Sequence, residues 1–301
     1  MRKALLALIL VPIVGATDLA EARERPRWTG RTGANGAPSV PGKQTLAYGS
    51  DPLQSLDFYP AQGARRDAPL VLFVHGGGWT RGSKDNADGT WKAPHFTQAG
   101  YAYASINYRL VPDATVEQQA ADVAAALKHL VSHAASLGFD PHRVVIMGHS
   151  AGAHLVALVG TDGRYLKGAG LSFASLKGVV PIDGAAYDVT AQMREGPRIM
   201  RDTYTQAFGV DPARQRALSP TVQALAPNAP AFLLIHVQRP DGIKQNEALE
   251  AALRAAHTPV ERSGFPGTGL KGHAEVNRSL GDPAYAATPV VDSWLKRVFG
   301  G

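Results

Sequence analysis

Five short apolar runs constrain the fold of this 301-residue chain more than any other feature. The runs read "PLVLFVHG", "YAYASINY", "RVVIMGH", "LKGVVPID" and "AFLLIHV". Their apolar residues are continuous rather than alternating, which is typical of strands buried on both faces. Helical stretches separate most of these runs. The pattern predicts an α/β fold with a mostly parallel central sheet flanked by helices.

The elements around these runs complete one domain, which we expect to cover residues 43–301. Two extended runs, "KQTLAYG" and "LQSLDFYP", resemble an antiparallel hairpin at the sheet edge, and "VERSGF" is the predicted last strand. Helices are expected at about 116–137, 151–159, 244–256 and 283–298. Residues 184–230 lie between two core strands and interrupt the regular alternation of strands and helices. They predict a small, lid-like insertion over the carboxyl edge of the sheet, where ligands bind in open α/β folds.

The N-terminal residues predict that the protein is exported. Arg2 and Lys3 precede the apolar stretch "ALLALILVPIV", and "AEA" at residues 20–22 offers a small-x-small cleavage site, so residues 1–22 resemble a secretory signal peptide. The alternative is an uncleaved anchor, but eleven apolar residues are short for a bilayer, which needs about 20. Residues 23–42 are rich in Gly, Pro and Arg and predict a flexible arm. We therefore expect a secreted or periplasmic protein.

The composition of the chain argues against several kinds of site and binding partner. It contains no cysteine, which excludes disulfides, thiolate metal sites and a cysteine nucleophile. The net charge is +6, but the Lys and Arg residues beyond the arm are dispersed, which indicates a solvated surface rather than a nucleic-acid interface. No later segment is long and apolar enough for a membrane anchor. The oligomeric state is not predicted.

The motif "IMGHSAGAH" at residues 146–154 predicts the reactive centre. Ser150 lies between the glycines Gly148 and Gly152, after a predicted strand and before a predicted helix. In a sharp strand-to-helix elbow, side chains at those two positions would collide with the adjoining elements. Such an elbow exposes the serine hydroxyl beside the free N–H groups of the helix start. We therefore predict Ser150 as a nucleophile.

A serine hydroxyl needs a base to take its proton, and in this arrangement the acid and then the base follow the serine in the chain. The acid is expected just after the strand "AFLLIHV", where Asp241 is the one carboxylate between residues 232 and 246. The base is expected after the last strand, where His273 is the one histidine beyond His257. Four glycines precede His273 and predict a loop there. Asp241 lies in "PDG", which predicts a turn.

The motif "HGGGW" at residues 75–79 predicts hydrogen-bond donors for the oxyanion of the reaction. It follows the strand at residues 70–74 and lies at the carboxyl edge of the sheet. Two of its bare backbone amides, together with the amide of Ala151, could donate hydrogen bonds to a tetrahedral oxyanion.

From about Lys43 to its end the chain resembles the α/β-hydrolase superfamily. The resemblance is to the bacterial esterase and lipase branch related to hormone-sensitive lipase, which includes carboxylesterases, feruloyl-esterase-like proteins and kynurenine-formamidase-like proteins. It rests on "HGGGW", "INYRL", "GHSAGAHL", the Asp241 turn and "GHAEVNRSLG". It implies Ser150 as nucleophile, His273 as general base and acid, and Asp241 as the residue that orients the imidazole. Gly77, Gly78 and Ala151 would form the oxyanion hole.

We therefore expect an exported serine hydrolase that cleaves small-molecule carboxylic esters through an acyl-enzyme, with no cofactor or metal. The small lid argues against a true interfacial lipase. Short-chain or aryl esters are the expected substrates. An amidase or formamidase of the same fold, or a catalytically silent hydrolase fold used for binding, are the alternatives. Candidate substrate-binding residues are Trp79, His149, Tyr187 and Met193; core packing is the alternative for Trp79, Tyr187 and Met193.

Overall fold

The computed structural model describes residues 40–63, 67–87 and 90–300. The predicted signal peptide, and the predicted arm as far as residue 39, lie outside the described residues. Within them, the chain is built around one eight-stranded sheet with the strand order β1-β2-β4-β3-β5-β6-β7-β8. The strands are β1 (Gln44–Ala47), β2 (Ser55–Tyr59), β3 (Ala68–Val74), β4 (Ala102–Ile106), β5 (Phe139–His149), β6 (Gly178–Ile182), β7 (Phe232–Gln238) and β8 (Val260–Thr268).

The sheet is mostly parallel, as predicted. Strands β1, β2 and β4 pair antiparallel, which is the predicted hairpin joined to the sheet edge. All pairs from β4 to β8 are parallel. Because parallel strands run in one direction, the carboxyl ends of β3, β5, β6 and β7 meet at one edge of the sheet. Every site residue discussed below lies at or above that edge.

Helices cover both faces of the sheet. They are α1 (Lys84–Ala87), α2 (Lys92–Gln98), α3 (Val116–Ser132), α4 (Ala134–Leu137), α5 (Ala151–Thr161), α6 (Gly163–Gly168), α7 (Val189–Glu195), α8 (Arg201–Phe208), α9 (Pro212–Ala217), α10 (Pro220–Gln223), α11 (Pro240–Ala255), α12 (Gly269–Ser279) and α13 (Ala287–Phe299). Short 3₁₀ turns occupy Phe173–Ser175 and Arg198–Met200.

The core has two layers, one on each face of the sheet. Alternate residues of β3 show the division: Leu70, Leu72 and Val74 pack in one layer with α3 and α5, whereas Val71 and Phe73 pack in the other with α2 and α13. All seven residues of β3 are buried. This two-sided burial is the physical reason that the strand sequence is continuously apolar.

Element boundaries differ from the sequence-based expectations at several places. The predicted helix at 116–137 is divided at His133 into α3 and α4. Helix α11 begins at Pro240 rather than near residue 244, because proline is favoured at the first helical position, where no N–H is needed. Strand β8 continues to Thr268 and α12 begins at Gly269, so His273 lies on a helix rather than on a loop.

The segment at 184–230, between β6 and β7, contains α7, α8, α9, α10 and the 3₁₀ turn Arg198–Met200. Asp188 caps α7 by accepting from the backbone N–H of Ala191, and Asp211 caps α9 in the same way. Across the residues that the structure describes, none of the helices combines the length and the apolarity that crossing a membrane requires.

Candidate active site

Ser150 occupies a strained turn between β5 and α5. Its backbone has φ 58° and ψ −118°, a conformation that L-residues rarely adopt. A Cβ on Gly148 would lie 2.4 Å from the backbone oxygen of Gly152, and one on Gly152 would lie 2.2 Å from that of Val74. Both distances are below any real contact. The two glycines therefore let strand, serine and helix approach closely, as the elbow requires.

His273 connects Ser150 to a carboxylate. Its Nε2 lies 2.9 Å from Ser150 Oγ, and its Nδ1 lies 2.5 Å from Asp183 Oδ2. A carboxylate oxygen can only accept, so Nδ1 carries the hydrogen and Nε2 is left to accept from the serine hydroxyl. Residues 150, 183 and 273 are thus brought into one hydrogen-bonded line from three separate elements.

Asp183 is the residue directly after β6, and its carboxylate is fully buried. Its Oδ1 accepts from the Val237 backbone N–H at 3.0 Å, and its Oδ2 also lies 3.0 Å from Arg239 Nε. Burial raises the pKa of the Asp183 carboxyl, but the hydrogen bond from His273, the Arg239 charge and the Val237 N–H together hold that pKa below 3.8. Asp183 is therefore ionised beside the imidazole.

The sequence-based assignment of the acid to Asp241 requires correction. Asp241 lies in the first turn of α11, and its Oδ2 accepts from Gln192 Nε2 at 3.2 Å and lies 3.7 Å from Arg239 Nη1. The carboxylate against His273 is that of Asp183. The sequence did hold a signal for it, since "LKGVVPID" ends on an acid at the carboxyl end of β6, which pairs directly with the serine's strand β5. The chain-order argument alone places the acid after β7.

The glycine loop after β3 turns beside Ser150. Gly77 and Gly78 have φ 119° and 63°, and a Cβ on Gly77 would lie 2.0 Å from the Arg81 carbonyl oxygen. His75 stiffens the loop, because its ring stacks on Tyr108 at 4.2 Å while the Tyr108 hydroxyl donates to the His75 carbonyl at 2.9 Å. Burial lowers the pKa of His75 to about 4, so the stacked ring is neutral near pH 7.

Trp79 anchors the far end of this loop. Its backbone oxygen accepts from Gln119 Nε2 at 2.7 Å, and its indole N–H donates to His154 Nδ1 at 3.3 Å. His154, on α5, donates from Nε2 to the Leu218 carbonyl at 2.8 Å. The loop, the elbow helix and the 184–230 segment are therefore joined through two aromatic side chains. Ala151 begins α5, where backbone N–H groups have no intrahelical partner.

His149, the neighbour of the nucleophile, contacts His273 rather than a substrate cavity. Its Nε2 lies 2.9 Å from the His273 carbonyl oxygen and must donate, because a carbonyl only accepts. Burial, followed by the proximity of His273, lowers the pKa of His149 well below 6.5. The neutral ring thus tethers the backbone of α12 at the position from which His273 reaches Ser150.

A cavity of about 310 Å³ opens onto the hydrogen-bonded line. Ser150, Ala151, Gly78 and His273 form its floor, and apolar walls come from the 184–230 segment and α12 through Pro197, Ile199, Met200, Tyr204 and Leu270. Among the predicted substrate-binding residues, Trp79 lines this cavity. Tyr187 is fully buried in the core, Met193 packs against the core, and neither they nor His149 line it.

Comparisons with known proteins bear on this arrangement. The BD-FAE family matches residues 56–250. Carboxylesterase NlhH of Mycobacterium tuberculosis is 30% identical over 233 residues, covering 74% of this chain and 71% of that protein. The probable isoprenylcysteine alpha-carbonyl methylesterase ICMEL1 of Arabidopsis thaliana is 32% identical over 115 residues, 38% of this chain. The crystal structure of esterase B from Lactobacillus Rhamnosis superimposes with a TM-score of 0.70 at 24% identity, covering 88% of this chain and 87% of that one.

The fold and the elbow define an α/β-hydrolase of the esterase branch related to hormone-sensitive lipase, as predicted. The chain belongs to the BD-FAE family within that branch. The relative NlhH, which matches over most of its own length, is named a carboxylesterase. The match spans only 24% of the length of the Arabidopsis methylesterase, so that protein's substrate does not transfer with the likeness.

Proposed function

We propose that the chain is a serine carboxylesterase that uses Ser150 as nucleophile, His273 as general base and acid, and Asp183 as the carboxylate that orients and charges the imidazole. The observation that carries the proposal is the hydrogen-bonded line from Ser150 Oγ through the His273 ring to Asp183 Oδ2. It is the geometry that makes a serine hydroxyl nucleophilic near neutral pH.

The reaction proceeds in two halves. His273 Nε2 takes the hydroxyl proton as Ser150 Oγ attacks the ester carbonyl, and the resulting imidazolium is stabilised by ionised Asp183. The oxyanion accepts from the backbone N–H groups of the Gly77–Gly78 turn and of Ala151. His273 then protonates the leaving alcohol. Water attacks the acyl-enzyme with His273 again as base, and Ser150 is released with the carboxylic acid.

The proposed substrates are short-chain or aryl esters. A cavity of about 310 Å³ is at the small end of the range for small-molecule sites. Its walls are mostly apolar side chains, and Ile199 and Leu270 stand exposed at its rim. A short acyl group or an aromatic ring would fill such a volume, whereas a long acyl chain would extend past the rim into solvent. Cleavage of an amide would require the same residues to protonate a leaving nitrogen.

A hydrolysis panel tests both the reaction and the substrate class. Wild type and Ser150→Ala are compared on short and long acyl esters of nitrophenol, aryl-acid esters and N-formyl amides, with fluorophosphonate labelling followed by peptide mass spectrometry. We expect hydrolysis of short-chain or aryl esters, one phosphonate adduct on Ser150, and no turnover by Ser150→Ala. Wild-type inactivity throughout, with no adduct, would favour a binding role for the fold. Faster turnover of formyl amides than of esters would favour the formamidase alternative.

We propose in addition that the protein is exported, because residues 1–22 have the charged, apolar and small-residue regions of a signal peptide. Expression of the full chain in a bacterium, followed by fractionation and N-terminal sequencing, tests this. The expected product is periplasmic or secreted and begins at Arg23. A cytoplasmic product that retains Met1 or Arg2 would contradict the proposal.

A further inference from the structure

Arg239 lies between two carboxylates behind the candidate triad. Its Nε is 3.0 Å from Asp183 Oδ2, the same oxygen that accepts from His273. Its Nη2 donates to the Asp183 backbone carbonyl at 3.1 Å, and its Nη1 lies 3.7 Å from Asp241 Oδ2. The Nε N–H is not aligned for a hydrogen bond with any described acceptor, so its contact with Oδ2 is an ion pair.

Asp241 is itself held from its other side. Gln192 Nε2 donates to Asp241 Oδ2 at 3.2 Å and approaches the Tyr204 hydroxyl at 3.0 Å. The side chains of Arg239 and Asp241 are only 11% and 14% exposed, and both line the cavity. Screening by solvent is weak at such exposure, so the charges of this pair act on the neighbouring groups.

The net charge next to the His273 imidazole depends on both Arg239 and Asp241. Asp183 alone would place one negative charge against the imidazole. Arg239 neutralises that charge, and Asp241 restores it by balancing Arg239. An imidazolium forms at His273 whenever the serine proton is taken, and a net negative charge nearby stabilises it. Without Asp241, the Asp183–Arg239 pair would be nearly neutral towards the imidazolium.

On the basis of the proposed triad, we propose that Arg239 and Asp241 are positioning residues that set the charge His273 experiences through Asp183. Arg239 fixes the Asp183 carboxylate by binding its side chain and its backbone together. Asp241, the carboxylate expected after β7, prevents Arg239 from cancelling that charge. The two residues thus work as a pair, and their removal has opposite electrostatic consequences.

The test measures the acidic limb of the kcat/KM profile, which reports the essential base of the free enzyme. A neutral nitrophenyl ester is hydrolysed from about pH 5 to about pH 8 by wild type, R239Q, D241N and the double variant. We expect R239Q to move the limb to higher pH and D241N to move it to lower pH, each by roughly 0.5–1 pH unit. D241N also loses roughly tenfold in plateau kcat. The double variant, with its charge balance restored, returns to within a few tenths of a unit of wild type.

Two controls separate charge from structure. R239K retains the charge and loses the forked contact, so its limb stays near that of wild type. R297Q removes an arginine that pairs with Glu261 on the exposed surface, and changes neither limb nor kcat. The other titratable or charged groups around His273 are unchanged in all variants: His149, Lys92, Tyr187, Tyr285 and, on α12, Lys271 and Glu275.

Each outcome decides something. A limb that stays in place in both single variants, whatever their kcat, would overturn the inference, because a purely structural role lowers activity without moving the limb. A D241N variant as inactive as D183N, assayed beside it, would overturn it too and return the triad acid to Asp241. If R239Q does not fold, D241N alone carries the test. Wild-type inactivity with no Ser150 adduct would instead overturn the proposed function.

Discussion

Asp183 and Asp241 lie near each other above the same sheet edge, but the side chain in contact with the His273 ring is that of Asp183. Asp183 directly follows β6, has φ 46°, and presents both oxygens to fixed donors at Val237 and His273. Asp241 begins a helix and faces Gln192 and Arg239 instead. A carboxylate can orient an imidazole only when it is itself held. Asp183 meets this condition, because the Val237 N–H holds one of its oxygens while the other contacts His273.

Substitution of Asp183 by asparagine is expected to lower kcat by roughly 10³–10⁴, with little change in KM. The amide keeps the shape of the side chain but cannot balance an imidazolium, and its NH₂ group favours the wrong tautomer of His273. Steady-state kinetics on a short-chain nitrophenyl ester measure the loss, and circular dichroism checks the fold. Retention of more than about a tenth of wild-type kcat would remove Asp183 from the proposed triad.

At the scale of elements, the elbow depends on how closely α5 approaches β3. The missing side chain of Gly152 leaves room for the carbonyls of Val74 and His75, which lie 2.2 and 2.5 Å from where a Cβ would be. The same approach places the first turn of α5 beside the glycine loop. The proposed oxyanion donors on the two elements therefore both depend on the close approach that Gly152 permits.

Gly152→Ala is expected to lower the free energy of unfolding by at least about 2 kcal/mol, because backbone atoms on two elements must move apart. Activity should fall as well, since the same displacement separates the oxyanion donors. Urea unfolding and ester hydrolysis measure the two effects. Gly168→Ala at the end of α6 is the matched control. No atom lies within 4 Å of its added Cβ, so stability should be unchanged or raised by up to about 1 kcal/mol. Equal stability of both variants would refute the packing argument.

For the molecule as a whole, the burial of neutral histidines makes the free energy of unfolding depend on pH. His75 and His154 are buried beside the site, and desolvation lowers the pKa of each to about 4; that of His149 is also lowered well below 6.5. These rings join the glycine loop, the elbow helix and α12 to the body of the protein. Protonation of any of them requires exposure to water, so the site and the fold are coupled.

The free energy of unfolding is expected to fall as pH drops from about 6.5 to about 4. In that window the unfolded chain binds protons that the folded chain does not, so stability rises with pH and is complete above 6.5. A ring shifted from 6.5 to about 4 contributes roughly 3 kcal/mol to this loss. Asp183, whose pKa is lowered below 3.8, adds a further loss at lower pH.

Urea unfolding at several pH values between about 8 and about 4 measures this dependence. His154→Gln should flatten the slope of unfolding free energy against pH, whatever its effect at neutral pH. His142→Gln, which changes an exposed ring on β5, should leave the slope as it is in wild type. A slope unaffected by His154→Gln would mean that this ring binds its proton equally in the folded and unfolded chain, so that burial does not lower its pKa.

The amino-acid sequence alone determined the parallel sheet, the elbow at Ser150, the glycine loop and the choice of His273 as the histidine that contacts Ser150, because each follows from local patterns: continuous apolar runs, paired glycines, and chain order. It did not determine which carboxylate contacts that histidine. Two aspartates follow neighbouring buried strands, and their separation from His273 depends on where α12 packs across β7 and β8. Only tertiary packing decided that Asp183 reaches the ring, that His149 tethers α12, and that Asp241 faces Arg239. Side-chain distances between elements far apart in the chain are set by the packing of the whole core, which no local pattern encodes.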